Sequence, residues 1–209
     1  MAHVQTQTAP ALTFPVGTAL IVGAALLIHL VPQLGDWLIY DRTAIQSGEL
    51  WRLLTGNWVH FSSRHLIYDG LALGVASGLL ESRYQYPMAG ICLGLGIFVG
   101  IFLFLLDPNL RLYSGLSGIA VGVIVIMSLN GSAREQGGVR VLYLACLLLT
   151  LAKVVADFYT DQFLLLSADA SGIQPVPLSH LLGAVAGAAV FFAPRGKPGA
   201  NTNGTYLKP

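Results

Sequence analysis

The chain has 209 residues, of which 55% are hydrophobic and only 10% charged, and its formal net charge is +1. An ordinary soluble domain carries roughly 25% charged residues, so the composition points to a chain embedded in a bilayer. Nucleic acid is excluded as a partner, because a near-neutral chain without a basic stripe offers no row of cations to phosphates.

Residues 1–14 read as a polar tail. Crossing the hydrocarbon takes roughly 20 apolar residues, and the first stretch of that kind runs from Val16 to Leu34. No Lys or Arg precedes it, so it reads as a retained helix rather than a cleaved signal peptide. The longest connection follows, interleaving Trp37, Tyr40, Trp51, Trp58 and Phe61 with Arg42, Glu49 and Arg52. Aromatic rings mixed with charges suit the headgroup level, which predicts a partly embedded loop beside the bundle. Further apolar stretches run from Leu66 to Leu80, Pro87 to Leu106, Ser114 to Asn130, Val141 to Ala156 and Leu178 to Ala193. The second and fifth of the six are short, which leaves tilt or extension into their flanks open. The expected fold is all-α: a polytopic membrane protein with a six-transmembrane-helix bundle over 15–193 and a disordered tail over 194–209.

Six spans would put both termini on one side of the membrane. Arg83, Arg134, Arg140, Arg195, Lys197 and Lys208 fall on that side, against Arg42, Arg52, Arg64 and Arg111 opposite. The positive-inside rule then predicts cytoplasmic termini. Cys92 and Cys146 lie in apolar stretches and read as small buried hydrophobes rather than a disulfide or a metal pair. No internal repeat is visible, so the inverted symmetry of many transporters is missing.

Two segments carry groups that a lipid-facing helix does not need. The fourth stretch opens with Gly115-Leu116-Ser117-Gly118, and the sixth with Ser179-His180. A serine hydroxyl is a poor nucleophile until a base takes its proton, and histidine is the usual base. The fourth and sixth helices would run in the same direction, placing Ser117 and His180 near one membrane face, opposite the termini. Gly118 and Gly122 are four residues apart, as are Gly183 and Gly187, and such spacing lets two helix backbones approach closely. Acyl transfer also requires donors aimed at a developing oxyanion. His65 and Asp69, four residues apart, share a helix face. In a low dielectric the neutral acid of Asp69 is favoured, and it could donate a hydrogen bond. The other reading of Asp69 is a structural partner of His65 or Arg64. A metal site built from His60, His65 and Asp69 is disfavoured, because no His-Glu-x-x-His helix supplies both ligands and a base. No metal or cofactor is expected.

Taken in order, Trp51-Arg52, His60-Phe61-Ser62, His65 with Asp69 four later, Gly115-Leu116-Ser117-Gly118, and His180 followed by small residues resemble the rhomboid family of intramembrane serine proteases. The likeness runs from Trp51 to about Phe192. The run from Ser47 to Gly56, Lys153-Val154-Val155, and Val176-Pro177-Leu178-Ser179-His180-Leu181 are similar to the bacterial rhombosortase branch. The resemblance implies Ser117 as nucleophile and His180 as base, a dyad without a third acid. It also implies an oxyanion site from the backbone N–H of Ser117 and Leu116, with side-chain donors His65 and Asp69. Two positions depart from the pattern: the family usually has Asn at Asp69, and many members have an aromatic residue at Val121. The implied function is a serine endopeptidase of a bacterial inner membrane that cuts transmembrane segments of single-span partner proteins. For a rhombosortase, those segments would be C-terminal sorting helices preceded by glycines. The alternative is a catalytically inactive rhomboid-like protein that binds transmembrane clients.

Overall fold

The computed structural model describes residues 13–159 and 176–194. Most of both predicted tails therefore lies outside the described residues. The first helix, α1 (Val16–Leu30), stops well short of Leu34. Pro32 disfavours helical backbone at the residue before it, and Val31 accordingly sits at φ −122° and ψ 86°. The following α2 (Pro32–Leu38) is bent 109° away from α1. The stretch from Val16 to Leu34 is thus a broken pair and not one straight span.

The loop expected beside the bundle is built from short, well-tied pieces. These are β1 (Tyr40–Asp41), α3 (Arg42–Gln46), α4 (Arg52–Thr55) and a 3-10 turn over Gly56–Trp58. Asp41 caps α3 by accepting from the Thr43 and Ala44 amides at 2.8 and 3.2 Å. Four elements complete the frame after it: α5 (Ser63–Tyr84), α6 (Met88–Leu106), β2 (Leu112–Tyr113) and α7 (Ser117–Arg134). Then come α8 (Gly137–Ala156) and α9 (Pro177–Phe192). The fold is mostly helical, and one short ladder joins it, since β1 and β2 pair antiparallel with Tyr40 opposite Tyr113.

The loop is fastened to the bundle by backbone capping. The Arg42 guanidinium donates to the carbonyls of Phe104 and Asp107, each at 2.7 Å, and so satisfies the open C-terminal end of α6. Arg52 donates to Ile39 O at 2.8 Å and pairs with Glu49 at 2.6 Å. Gly100 on α6 leaves room for the Leu53 carbonyl, where a Cβ would collide. The Trp58 indole N–H donates to Ile21 O of α1 at 3.2 Å. At the start of α1, Glu81 of α5 accepts from the Gly17 and Thr18 amides at 2.7 Å, a carboxylate on a helix N-terminus.

Among the described residues three helices, α6, α7 and α8, are long and apolar enough to cross a membrane, and α1 with α2 makes a fourth if the bent pair is one span. α9 is apolar but has 16 residues, and α5 has 22 but carries Arg64, Asp69, Glu81 and Arg83. The centre of the bundle is α7, which packs against α5, α8 and α9. Its contact with α9 is nearly backbone on backbone. A Cβ at Gly183 or Gly187 would run into the carbonyl of Gly118 or Gly122 respectively. Small residues therefore set the helix separation here, as the glycine spacing predicts.

Candidate active site

The tetrad at the start of α7 lies between two buried clusters of polar side chains. Gly115 adopts φ +119°, a conformation that glycine accepts without strain. A Cβ at this position would stand 2.7 Å from His65 Cε1 and 3.3 Å from Asp69 Oδ2, so this glycine is also needed for the approach. Leu116 is fully buried, and its N–H donates to His60 Nε2 at 3.3 Å. Ser117, half-buried, is the first residue of α7. Gly118 then packs on α9, where a Cβ would lie 3.0 Å from the Ser179 carbonyl. The Tyr113 hydroxyl donates to Gly115 O at 3.1 Å and braces the turn from beneath.

The first cluster sits at the head of α5. Ser62 caps that helix by accepting from the His65 amide at 3.2 Å. One oxygen, Asp69 Oδ2, lies 3.2 Å from both His60 Nε2 and His65 Nε2. His60 Nδ1 is 3.2 Å from the Trp58 carbonyl, which only accepts, so Nδ1 carries a proton. The neutral ring then has its one lone pair at Nε2, the atom that both the Leu116 N–H and Asp69 Oδ2 face. Two expectations bear on these contacts. Asp69 Oδ2 faces His60 as well as His65, in line with the reading of Asp69 as a structural partner of His65. Leu116, expected as a backbone oxyanion donor, has its N–H turned into the His60 imidazole. Ligand atoms of His60, His65 and Asp69 all lie within 4.8 Å of one another, so these three could share a cation. The Leu116 N–H directed at His60 Nε2 competes with that use.

The second cluster joins α8 to α9. His180, fourth in α9 and 2% exposed, has its Nδ1 2.6 Å from Asp157 Oδ2. Lys153, one turn before Asp157 on α8, reaches the same oxygen at 2.6 Å and stands 3.2 Å from His180 Nδ1. Burial pushes the Asp157 carboxyl up, but hydrogen bonds and charge from His180 and Lys153 outweigh it and hold it below the usual carboxylate range. The resemblance implies no acid beside His180; here the Asp157 carboxylate bonds the Nδ1 side of its ring. Lys153 and Asp157 at the end of an apolar helix are a signal visible in the sequence, because charge there is expensive without a partner. Val121 packs with Val125 and with Val154 and Ala184 of the neighbouring helices.

The structure therefore groups His65 and Asp69 with Gly115 and Leu116, and groups His180 with Asp157 and Lys153. The close approach of Gly118 to Ser179 and Gly183 sets Ser117 and His180 at the same end of neighbouring helices. A model of the Rhomboid domain matches residues 47–195, more than half of the chain. The chain belongs to the rhomboid family. No curated protein sequence matches it closely. The match covers α4 through α9, so both clusters and the tetrad lie inside the rhomboid domain. With its apolar helices, membership makes the chain an integral membrane protein of a family of intramembrane proteases.

Proposed function

We propose that this rhomboid is an active serine endopeptidase that cuts transmembrane segments of partner proteins, with Ser117 as nucleophile and His180 as general base. The observation that carries the reading is the glycine seam between α7 and α9, which brings the N-terminal turns of both helices together beside Ser117 and His180. His180 Nε2 would take the Ser117 proton as Oγ attacks the scissile carbonyl, then return it to the leaving amide nitrogen. The first turn of α7 leaves N–H groups without intrahelical acceptors, so the Ser117 amide is an oxyanion donor, with His65 beside it. Asp69, His60 and the Leu116 N–H form the support that orients His65 and the tetrad. In this reading α1, α5, α6, α7, α8 and α9 are six spans, with cytoplasmic termini and the site near the outer face of a bacterial inner membrane. Single-span proteins carrying a C-terminal sorting helix after glycines, the rhombosortase class, are the proposed substrates.

Co-expression with such a substrate tests this. Ser117→Ala and His180→Ala should each abolish the shortened product, and the double variant should be no worse, because members of one catalytic unit fail together. A fluorophosphonate should label the unaltered chain and not Ser117→Ala. Cleavage by Ser117→Ala at the normal rate, or an unaltered chain that resists labelling, would return the reading to an inactive client-binding rhomboid.

A further inference from the structure

We propose that Asp157, at the end of α8, is a positioning residue that makes the catalytic unit a Ser117–His180–Asp157 triad. This rests on Ser117 and His180 acting as nucleophile and base. The argument begins with the proton on the histidine. Asp157 Oδ2 and His180 Nδ1 are 2.6 Å apart, and an ionised carboxylate only accepts. If Nδ1 carried a lone pair, that lone pair would face the carboxylate at hydrogen-bond distance, which is repulsive. The Lys153 ammonium has only protons to offer, and at 2.6 Å it holds Oδ2 in the ionised, accepting state. Lys153 Nζ also stands 3.2 Å from Nδ1 and would favour a lone pair there, but the Asp157 carboxylate is the closer partner at 2.6 Å, so Nδ1 bears the proton and donates to Asp157. Neutral imidazole has one N–H, so Nε2 is left with the lone pair, the form a base needs to receive a proton from Ser117.

The carboxylate also acts later in the cycle. When Nε2 takes the hydroxyl proton and Oγ bonds the carbonyl carbon, the imidazole becomes a cation in a site where His180 is 2% exposed. The negative charge 2.6 Å from Nδ1 offsets that cation until the proton passes to the leaving nitrogen. Asp157 itself is 7% exposed, so water does little to weaken the pairing. The arrangement differs in kind from a surface ion pair between Lys153 and Asp157, which would leave the ring free to take either tautomer.

The test separates this inference from the reading beneath it. In detergent, Asp157→Asn should lower kcat and the rate of fluorophosphonate labelling by roughly 10²–10⁴-fold, with KM and the melting temperature near those of the unaltered protein. Asp157→Glu should recover part of the loss. If Asp157→Asn cleaves and labels at the unaltered rate while Ser117→Ala is dead, the triad is overturned and the Ser117–His180 reading stands. If Ser117→Ala also cleaves normally, the underlying reading has failed instead. Should Asp157→Asn not fold, ¹⁵N-histidine spectra of the unaltered protein answer the question directly. A His180 ring protonated at Nδ1 and bare at Nε2 supports the proposal, and the opposite tautomer overturns it.

Discussion

Adjacent helices α7 and α8 are of similar length, and each is apolar enough to cross a membrane, yet they occupy opposite environments. In its most apolar window α7 is 67% buried within the molecule, whereas α8 is 6% buried. The more apolar of the two is the exposed one. Leu142, Leu148 and Leu149 of α8 are among the most exposed side chains of the bundle, at 67–71%. Gly118, Gly122, Ser128, Asn130 and Gly131 of α7 are buried. In water this would be inside out. In a bilayer the tails are as apolar as leucine, so burial follows close packing and polar contact rather than hydrophobicity. The buried helix carries the proposed nucleophile, Ser117, and α8 meets α9 at the candidate site through Lys153 and Asp157.

The contrast can be pressed by substitution, and the largest effect is expected at the seam. Gly122→Leu places a large side chain against the Gly183 carbonyl, which would meet even a Cβ at 2.7 Å. Overpacking of this kind costs about 1–3 kcal/mol or more, and thermal unfolding in detergent should show it together with loss of cleavage. Unaltered melting and activity in Gly122→Leu would mean that α7 and α9 separate in the membrane. A smaller effect is expected at Val154, the buried residue of α8, which packs with Val121, Val125 and Ala184. Val154→Ala should cost about 1 kcal/mol and slow cleavage several-fold, because it loosens the helix that presents Asp157. The smallest effect belongs to the lipid face: Leu148→Ala and Leu149→Ala should each stay within about 0.5 kcal/mol, with unchanged turnover. A large loss at either leucine would show that α8 is covered by a partner and not by lipid.

Much of the site was legible because its signals are local. The glycines on either side of Ser117, the matching glycines of α9, and the His65–Asp69 spacing each depend on helical periodicity and residue size. Periodicity does not tell which way a backbone N–H turns. The family resemblance implies the Leu116 amide at the oxyanion, and only the packed loop shows it directed into His60. Asp157 illustrates the same limit from another side. Its charge at a helix end marks it as partnered, but the partner is 23 residues away across a connection whose course no sequence pattern reports. The sharp break at Pro32 was readable in principle, since proline restricts the residue before it, but apolarity alone ran the span through to Leu34.

What the sequence determined by itself is the solvent of this protein, the approximate places of its helices, and the residue types capable of acyl transfer, because composition, periodicity and glycine spacing are properties of the chain read in order. Tertiary structure alone decided which of those groups face one another. Asp69 pairs with two histidines, Leu116 donates to His60, and Asp157 holds His180, since each contact joins elements distant in sequence. Those pairings follow from helix separations set by the glycine seam and from a loop bound to exposed carbonyls, and both arise only once the whole bundle is packed.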